Sequence, residues 1–214
     1  MAIVGDKVEP RELQEDGCAH NELILDMLAR LLEERDTRIE QLTGIGVLVG
    51  PGMFTSLRVG LCVAKAISEC HHVPVKGINT LEAFAHAVDA EVEHTIVALD
   101  AKKGQIYAAV FSGSSVLLRP CVLKPADLGN QVVRRLKPAR VAIAGNAAEL
   151  VLAELRPLGI RLVGLDSGVL GGLAVANPAL GLLKSGPGDD PAGLTPLYIR
   201  QTDAELSRDP VLKK

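Results

Sequence analysis

Tryptophan is absent from this chain, and its 214 residues include only two Tyr and three Phe. A core organised around aromatic rings is thereby excluded. With 48% hydrophobic residues, a sizeable core must come from Val, Leu, Ile and Ala, a composition that suits α/β layers with continuous aliphatic strands. A dominant charge is also lacking. Lys and Arg number 23 against 26 Asp and Glu, a formal net charge of −3. No global field therefore recruits RNA or an anionic membrane, and a nucleic-acid role needs a local patch or a partner's surface. Cys18, Cys62, Cys70 and Cys121 form no C-x-x-C motif and no short-range zinc pattern with histidine, which reads as ordinary reduced thiols of a cytosolic protein. The chain does not open with a basic segment and an apolar stretch, so no signal peptide is expected. Gly, Pro or charge breaks every apolar stretch well short of a membrane span. These absences predict a soluble, cytoplasmic protein.

What is present divides into two similar halves. Ala2-Ile3-Val4, a Gly5-Asp6 turn and Lys7-Val8 read as a hairpin. A helix follows from His20 to Glu34, with Ile24, Met27, Leu28, Leu31 and Leu32 on one face and Leu23 and Leu25 widening the stripe. Ile45–Val49 is an aliphatic strand broken by Gly50-Pro51-Gly52, after which Thr55 offers an N-cap to a helix reaching Cys70. Pro74–Ile78 reads as a strand, and Asn79 with Glu82 has the spacing of a capping box for a helix to Val88. The second half opens with strands over Thr95–Leu99, Ile106–Phe111 and Val116–Leu123, with turns at Lys103-Gly104 and Gly113-Ser114. A helix over Ala126–Leu136 and a strand over Val141–Ala144 follow. Gly145-Asn146 then leads into a helix ending near Leu155, with Asn146 read as its cap. A strand over Ile160–Val163, a helix between Leu170 and Lys184 and a strand over Pro196–Arg200 precede a polar tail. The halves, 1–94 and 95–214 with a boundary near Glu93, differ in that the first is short by one strand at its start.

The most informative segment runs Gly50-Pro51-Gly52-Met53-Phe54-Thr55-Ser56-Leu57-Arg58-Val59-Gly60. It joins a strand to a helix through glycines, a junction that can turn backbone N–H groups toward an anion. It closes with no Gly-Lys-Ser/Thr and has no Gly-x-Gly-x-x-Gly fingerprint, so a tight turn before a capped helix is the plainer reading. His71-His72 follow a helix C-terminus, where imidazolium suits the dipole. No Ser-His-Asp or Cys-His grouping is legible.

The Gly50–Gly60 segment resembles the G-P-G-S-F-T-G-x-R-x-G signature of the TsaB family, with Met53 for the usual Ser and Ser56 for the usual Gly. His20-Asn21-Glu22-Leu23 is similar to the family's His-Ser-Glu-x-Leu helix opening. Ala98 to Tyr107 resembles its A-x-D-A-R-x-x-x-x-Y hairpin. Pro196 to Arg200, followed by Asp203-Ala204-Glu205, resembles its P-x-Y-x-R segment and acidic tail. These features span almost the whole chain in the family's order.

The resemblance implies an α/β fold of the actin/Hsp70 type, with duplicated ribonuclease-H-like lobes and the first lobe lacking its initial strand. An in-frame upstream segment ending in Asp-Thr/Ser is therefore expected. Catalytic, cofactor and metal sites are expected to be absent. Thr80 and Phe84 stand where the catalytic relative TsaD carries its two metal-binding histidines, His86 is one turn off, and Glu82 is explained by the capping box. Asp100, Lys102 and Lys103 fall where kinase-like relatives hold phosphate, although a charged hairpin tip is the plainer reading. Gly145-Asn146 falls where relatives approach an adenosine. The implied role is a non-catalytic scaffold for a TsaD-like enzyme that modifies the adenosine beside the anticodon. A TsaE-like ATPase is a further partner, tRNA is held only through the complex, and a homodimer is an alternative use of the same surface. That surface is expected on the first lobe's helices, at Ile24, Met27, Leu28, Leu31, Gly60 and Ala64. A small-molecule kinase or phosphatase, or a metal-dependent glycoprotease, are the competing readings.

Overall fold

The computed structural model describes residues 1–5, 8–14, 20–88, 91–113, 115–136, 140–156, 161–166, 168 and 170–200. The hairpin tip at Asp6, Cys18, Ser114, Ile160 and the acidic segment Asp203–Glu205 lie outside the described residues.

The first half runs β1 (Ala2–Gly5), β2 (Val8–Glu12), α1 (His20–Glu34), β3 (Ile45–Gly50), α2 (Phe54–His71), β4 (Val75–Asn79) and α3 (Thr80–Ala87). The second runs β5 (His94–Asp100), β6 (Ile106–Ser112), β7 (Ser115–Leu123), α4 (Pro125–Arg135), β8 (Arg140–Ala144), α5 (Ala148–Leu155), β9 (Arg161–Asp166) and α6 (Leu173–Ser185). The second half forms one sheet in the order β7-β6-β5-β8-β9. Its hairpin strands pair antiparallel, and β5, β8 and β9 are parallel.

β1, β2, β3 and β4 correspond in chain order to β6, β7, β8 and β9. The counterpart of β5, which hydrogen-bonds both β6 and β8, has no equivalent among the described residues. The first half is accordingly two separate ladders, β1-β2 antiparallel and β3-β4 parallel. α6 packs against both β1 and β3.

β5 is aliphatic from Ile96 to Leu99 because both of its faces are covered there. Ile96 and Ala98 join Leu128, Val132, Val151 and Leu155 of α4 and α5, whereas Val97 and Leu99 face Leu81 and Phe84 of α3. A helix of the first half thus seals the second half's sheet. Val47 and Val75 pack with Leu61 and Ala64 of α2, and Ile78 packs with Ala179 of α6 on the other side. Each fully buried aliphatic side chain contributes roughly 1.5–3 kcal/mol, which is how a core nearly free of aromatics holds together.

Local chemistry sets the helix ends, in part differently from expectation. Asn79 caps α3, its Oδ1 accepting the N–H groups of Leu81 at 2.8 Å and Glu82 at 3.4 Å, but the Glu82 side chain does not return a bond to the Asn79 backbone, so half of the expected capping box forms. Thr55 does not cap α2: the helix starts at Phe54, and Met53 occupies the cap position without a side-chain bond. Asn146 does not cap α5 either, because Ala147 takes that position.

Beyond α6 the chain returns across the β3-β4 ladder. The Asp189 amide donates to the Val75 carbonyl at 2.7 Å. The Asp189 carboxylate accepts Lys76 Nζ and, at 2.9 Å, the Gly77 amide. Pro196–Arg200, expected as a strand, runs beside β3 without forming a ladder. Pro196 has no N–H, and the segment's backbone bond to β3 is the one from Leu197 to the Val49 carbonyl, 2.7 Å. Side chains hold it instead.

Candidate functional site at the carboxyl ends of the parallel strands

In open α/β sheets the carboxyl ends of parallel strands are where loops converge to meet ligands. Here β3 ends at Gly50, with φ +115°. A Cβ at that glycine would lie 3.1 Å from the Leu197 carbonyl oxygen, so the returning C-terminal segment depends on its absence. A cis Gly50–Pro51 bond follows, and α2 begins at Phe54. The Arg58 guanidinium, one turn on, lies 3.8 Å from the centre of the Phe54 ring. Phe54 stacks on Tyr198 at 5.3 Å with 24° between the planes. Arg58 Nε donates to the Tyr198 hydroxyl at 3.0 Å. Phe54 is 43% and Tyr198 45% exposed, and Met53 beside them is 73% exposed.

β5 ends at Asp100, in the hairpin signature. The Asp100 carboxylate accepts the Lys102 amide at 2.7 Å and Lys102 Nζ at 2.8 Å. These two bonds, the side-chain one first, hold its carboxyl below the ordinary carboxylate range. Lys102 and Lys103 both have positive φ, 63° and 54°, forming the tight tip. Asn146 Oδ1 accepts the Asp100 amide at 2.8 Å, tying the end of β8 to the end of β5. Arg200 Nη1 donates to the Ala101 carbonyl at 2.6 Å. The structure thus joins three separate sequence signatures: the glycine loop through Phe54 and Arg58, the C-terminal segment through Tyr198 and Arg200, and the hairpin through Ala101. The fourth, at His20, opens α1, and the side chains of residues 20–22 lie outside the described ones.

The residues expected at a partner surface divide by burial. Ile24, Met27, Leu28 and Gly60 are half-buried. Leu31 is fully buried, and Ala64 is 4% exposed inside the α2–ladder cluster. Those two belong to the core and not to an exposed face. Leu25, at 59% exposed, and Leu23, at 36%, are the outward apolar side chains of α1. Helical periodicity had assigned them only to the margin of the stripe. The Phe54–Tyr198 pair was not legible as a unit, because 144 positions separate its members. Its one signal was that two of so few aromatics fall inside the two recurring motifs.

Thr80 and Phe84, at the positions compared with metal-binding histidines, are each 7% exposed and face the interior. His86 is exposed. His71 pairs with Glu40 at 3.0 Å near the end of α2, and His72 terminates the helix with φ 54°. Among the described residues, no three His, Cys, Asp or Glu side chains are grouped to hold a metal, and no helix is long and apolar enough to cross a membrane.

A family model described as TsaD: tRNA N6-adenosine threonylcarbamoyltransferase matches residues 9–177. A Mycobacterium tuberculosis (strain H37Rv) protein described as uncharacterized is 28% identical over 208 residues, 96% of this chain and 84% of that protein. The tRNA threonylcarbamoyladenosine biosynthesis protein TsaB of Buchnera aphidicola is 30% identical over 95 residues, 44% of this chain and 43% of its own. Among solved structures, YeaZ from Pseudomonas aeruginosa superposes with a TM-score of 0.72 at 21% identity, covering 92% of this chain and 93% of that one. This likeness shows the actin-like, ribonuclease-H-like α/β fold. The chain belongs to the family described as TsaD: tRNA N6-adenosine threonylcarbamoyltransferase.

Proposed function

We propose that this protein takes part in threonylcarbamoyladenosine biosynthesis on tRNA as the non-catalytic partner of a TsaD-like enzyme, docking through α1 and the adjoining face of α2. The observation that carries the reading is the uncovered apolar side of α1. Leu25 and Leu23 stand exposed above half-buried Ile24, Met27 and Leu28, while Leu31 already anchors the helix inward. A helix exposing more aliphatic surface than its own sheet uses marks a partner site. The non-catalytic role is supported by Thr80 and Phe84: a buried hydroxyl and a buried phenyl ring offer none of the imidazole nitrogens a metal centre there would use. A TsaE-like ATPase and tRNA enter this reading through the complex, in the cytoplasm. The lobes are proposed to divide near Glu93, with α6 reaching back onto the first.

The test is co-expression with the cognate TsaD-like protein. Leu25→Glu and Leu28→Glu place a carboxylate where the partner would bury it, and capture should fall on the order of 100-fold. Circular dichroism should show that both variants are folded. Ala64→Glu is unsuitable, because a carboxylate inside the α2–ladder cluster would unfold the first half. Folded variants captured as well as wild type would remove this surface, and sedimentation showing a dimer broken by the same changes would assign it to self-association instead.

A further inference from the structure

After α6 the chain returns over the first half and reaches the second, in two stretches of different strength. The first stretch is rooted. The Asp189 amide bonds the Val75 carbonyl, and the Asp189 carboxylate holds Lys76 and the Gly77 amide. Leu194 packs against the cluster of Val47, Leu61, Ala64 and Val75, and its carbonyl accepts Lys65 Nζ at 3.1 Å. Pro196 then withholds a backbone donor. The second stretch, 197–200, is an outer layer. Leu197 donates its amide to the Val49 carbonyl, and Tyr198 stacks on Phe54 and accepts Arg58 Nε. Arg200 crosses to the second half, where it bonds the Ala101 carbonyl. Leu197 and Tyr198 are exposed. Gly50 and Pro51 at the end of β3, and Ala101 just past the end of β5, are buried. Four residues therefore span from the carboxyl end of one half's parallel strands to that of the other's, where loops of such sheets converge. A backbone bond outside any ladder and an exposed ring stack are contacts that break without global unfolding. Arg200, half-buried, is what fastens the stretch to the second half.

We propose that residues 197–200 form a clasp that joins the two halves across the ends of β3 and β5. It opens from its tip at Arg200 while its root, Asp189 to Leu194, stays in place. Opening uncovers Gly50 and the first turn of α2 without unfolding either half, so the clasp gates access to the strand ends. It does so independently of any docking through α1. The scarcity of tyrosine supplies the test. The full chain made with fluorotyrosine has two fluorine signals, from Tyr107 on β6 and Tyr198 on the clasp, so one reports the fold and the other the clasp. In the wild type the Leu197 amide should exchange with solvent at least about ten-fold faster than the amides of Ile96 and Val97 in β5, as local opening requires. Arg200→Ala should move the Tyr198 signal toward that of a free peptide of residues 194–200. It should also speed Leu197 exchange about ten-fold, the effect of losing one charge-assisted bond. The Tyr107 signal and the Asp189 amide should not change. A purely local loss at Arg200 would not reach Leu197, which is bonded to the other half.

Three results would overturn the proposal. Leu197 exchange as slow as that of Ile96 and Val97 in the wild type would make the stretch a fixed part of the core. An unmoved Tyr198 signal or an unchanged Leu197 exchange in Arg200→Ala would show that Arg200 does not fasten a clasp. Leu197 and Asp189 accelerating together would mean that the returning segment detaches as a whole and has no root. If Arg200→Ala also shifts Tyr107, Tyr198→Ala at its exposed position decides the question. It should speed Leu197 exchange while the Asp189 amide stays protected, and unchanged Leu197 exchange there would equally sink the clasp. Failure of the partner reading appears separately, in the Leu25→Glu capture experiment.

Discussion

Gly145 turns the end of β8 with φ +103°, and a Cβ built there would lie 2.3 Å from the Ala98 carbonyl oxygen. Both the left-handed backbone and the close approach demand glycine. The approach lets the Ala147 amide reach the same carbonyl at 3.1 Å and brings Asn146 to Asp100. Gly145→Ala should therefore lower stability by about 2–4 kcal/mol, the conformational cost plus the overpacking cost. Gly104 is the control, since its φ is +71° with nothing within 4 Å of an added Cβ. Gly104→Ala should cost only about 1 kcal/mol. Denaturant midpoints at constant slope would separate the two. Asn79 was readable as a cap because its partners are two and three residues away. The role of Asn146 was not, because the amide it holds is 46 positions distant.

Among the elements, the returning segment after α6 shows how little sequence pattern reveals when support comes from elsewhere. Its apolar run resembles a strand, yet a strand needs a ladder, and only Leu197 reaches β3. Much of its attachment comes from Asp189. Burial by itself would raise that carboxyl, but the bonds from Lys76 and the Gly77 amide, with the Lys76 charge, outweigh burial and hold it below the ordinary range. A carboxyl whose folded value is depressed stabilises fully above its unfolded value, about pH 3.9, and loses that contribution as pH falls through the folded value. Asp189→Asn should therefore lower the thermal midpoint at neutral pH, and the gap to wild type should close in acid. A gap that persists unchanged at the lowest pH would show that the charge is irrelevant and only the amide contact matters. The main helices were legible by contrast, since their apolar periodicity reports burial directly. Their first residues were less so: α2 starts at Phe54 because the turn ends there, regardless of which later residue has a capping hydroxyl.

Across the whole molecule, the two halves are interlocked. α3 of the first seals the sheet of the second, and α6 lies on β1, β3 and β4. β3 carries glycines where α6 crosses, and a Cβ at Gly46 would come 2.5 Å from Ala179 Cβ. A fragment of residues 1–94 would leave that contact uncovered and its ladders unsupported. We expect it to show no cooperative unfolding transition and a poorly dispersed amide spectrum, whereas residues 1–200 should fold. A well-dispersed spectrum from 1–94 would mean that α6 is dispensable. The sequence by itself determined the α/β class, the order of the elements as far as α6, the repeat of one half in the other and the family signatures. All of these are set by local periodicity, turn chemistry and composition. Only the tertiary structure decided that Leu31 and Ala64 lie within the core, that α6 belongs against the first half's strands, that Phe54, Arg58 and Tyr198 meet, and that Arg200 reaches the hairpin at Ala101. Burial and juxtaposition are properties of which layers meet, and residues as far apart as Phe54 and Tyr198 carry no local pattern that announces their contact.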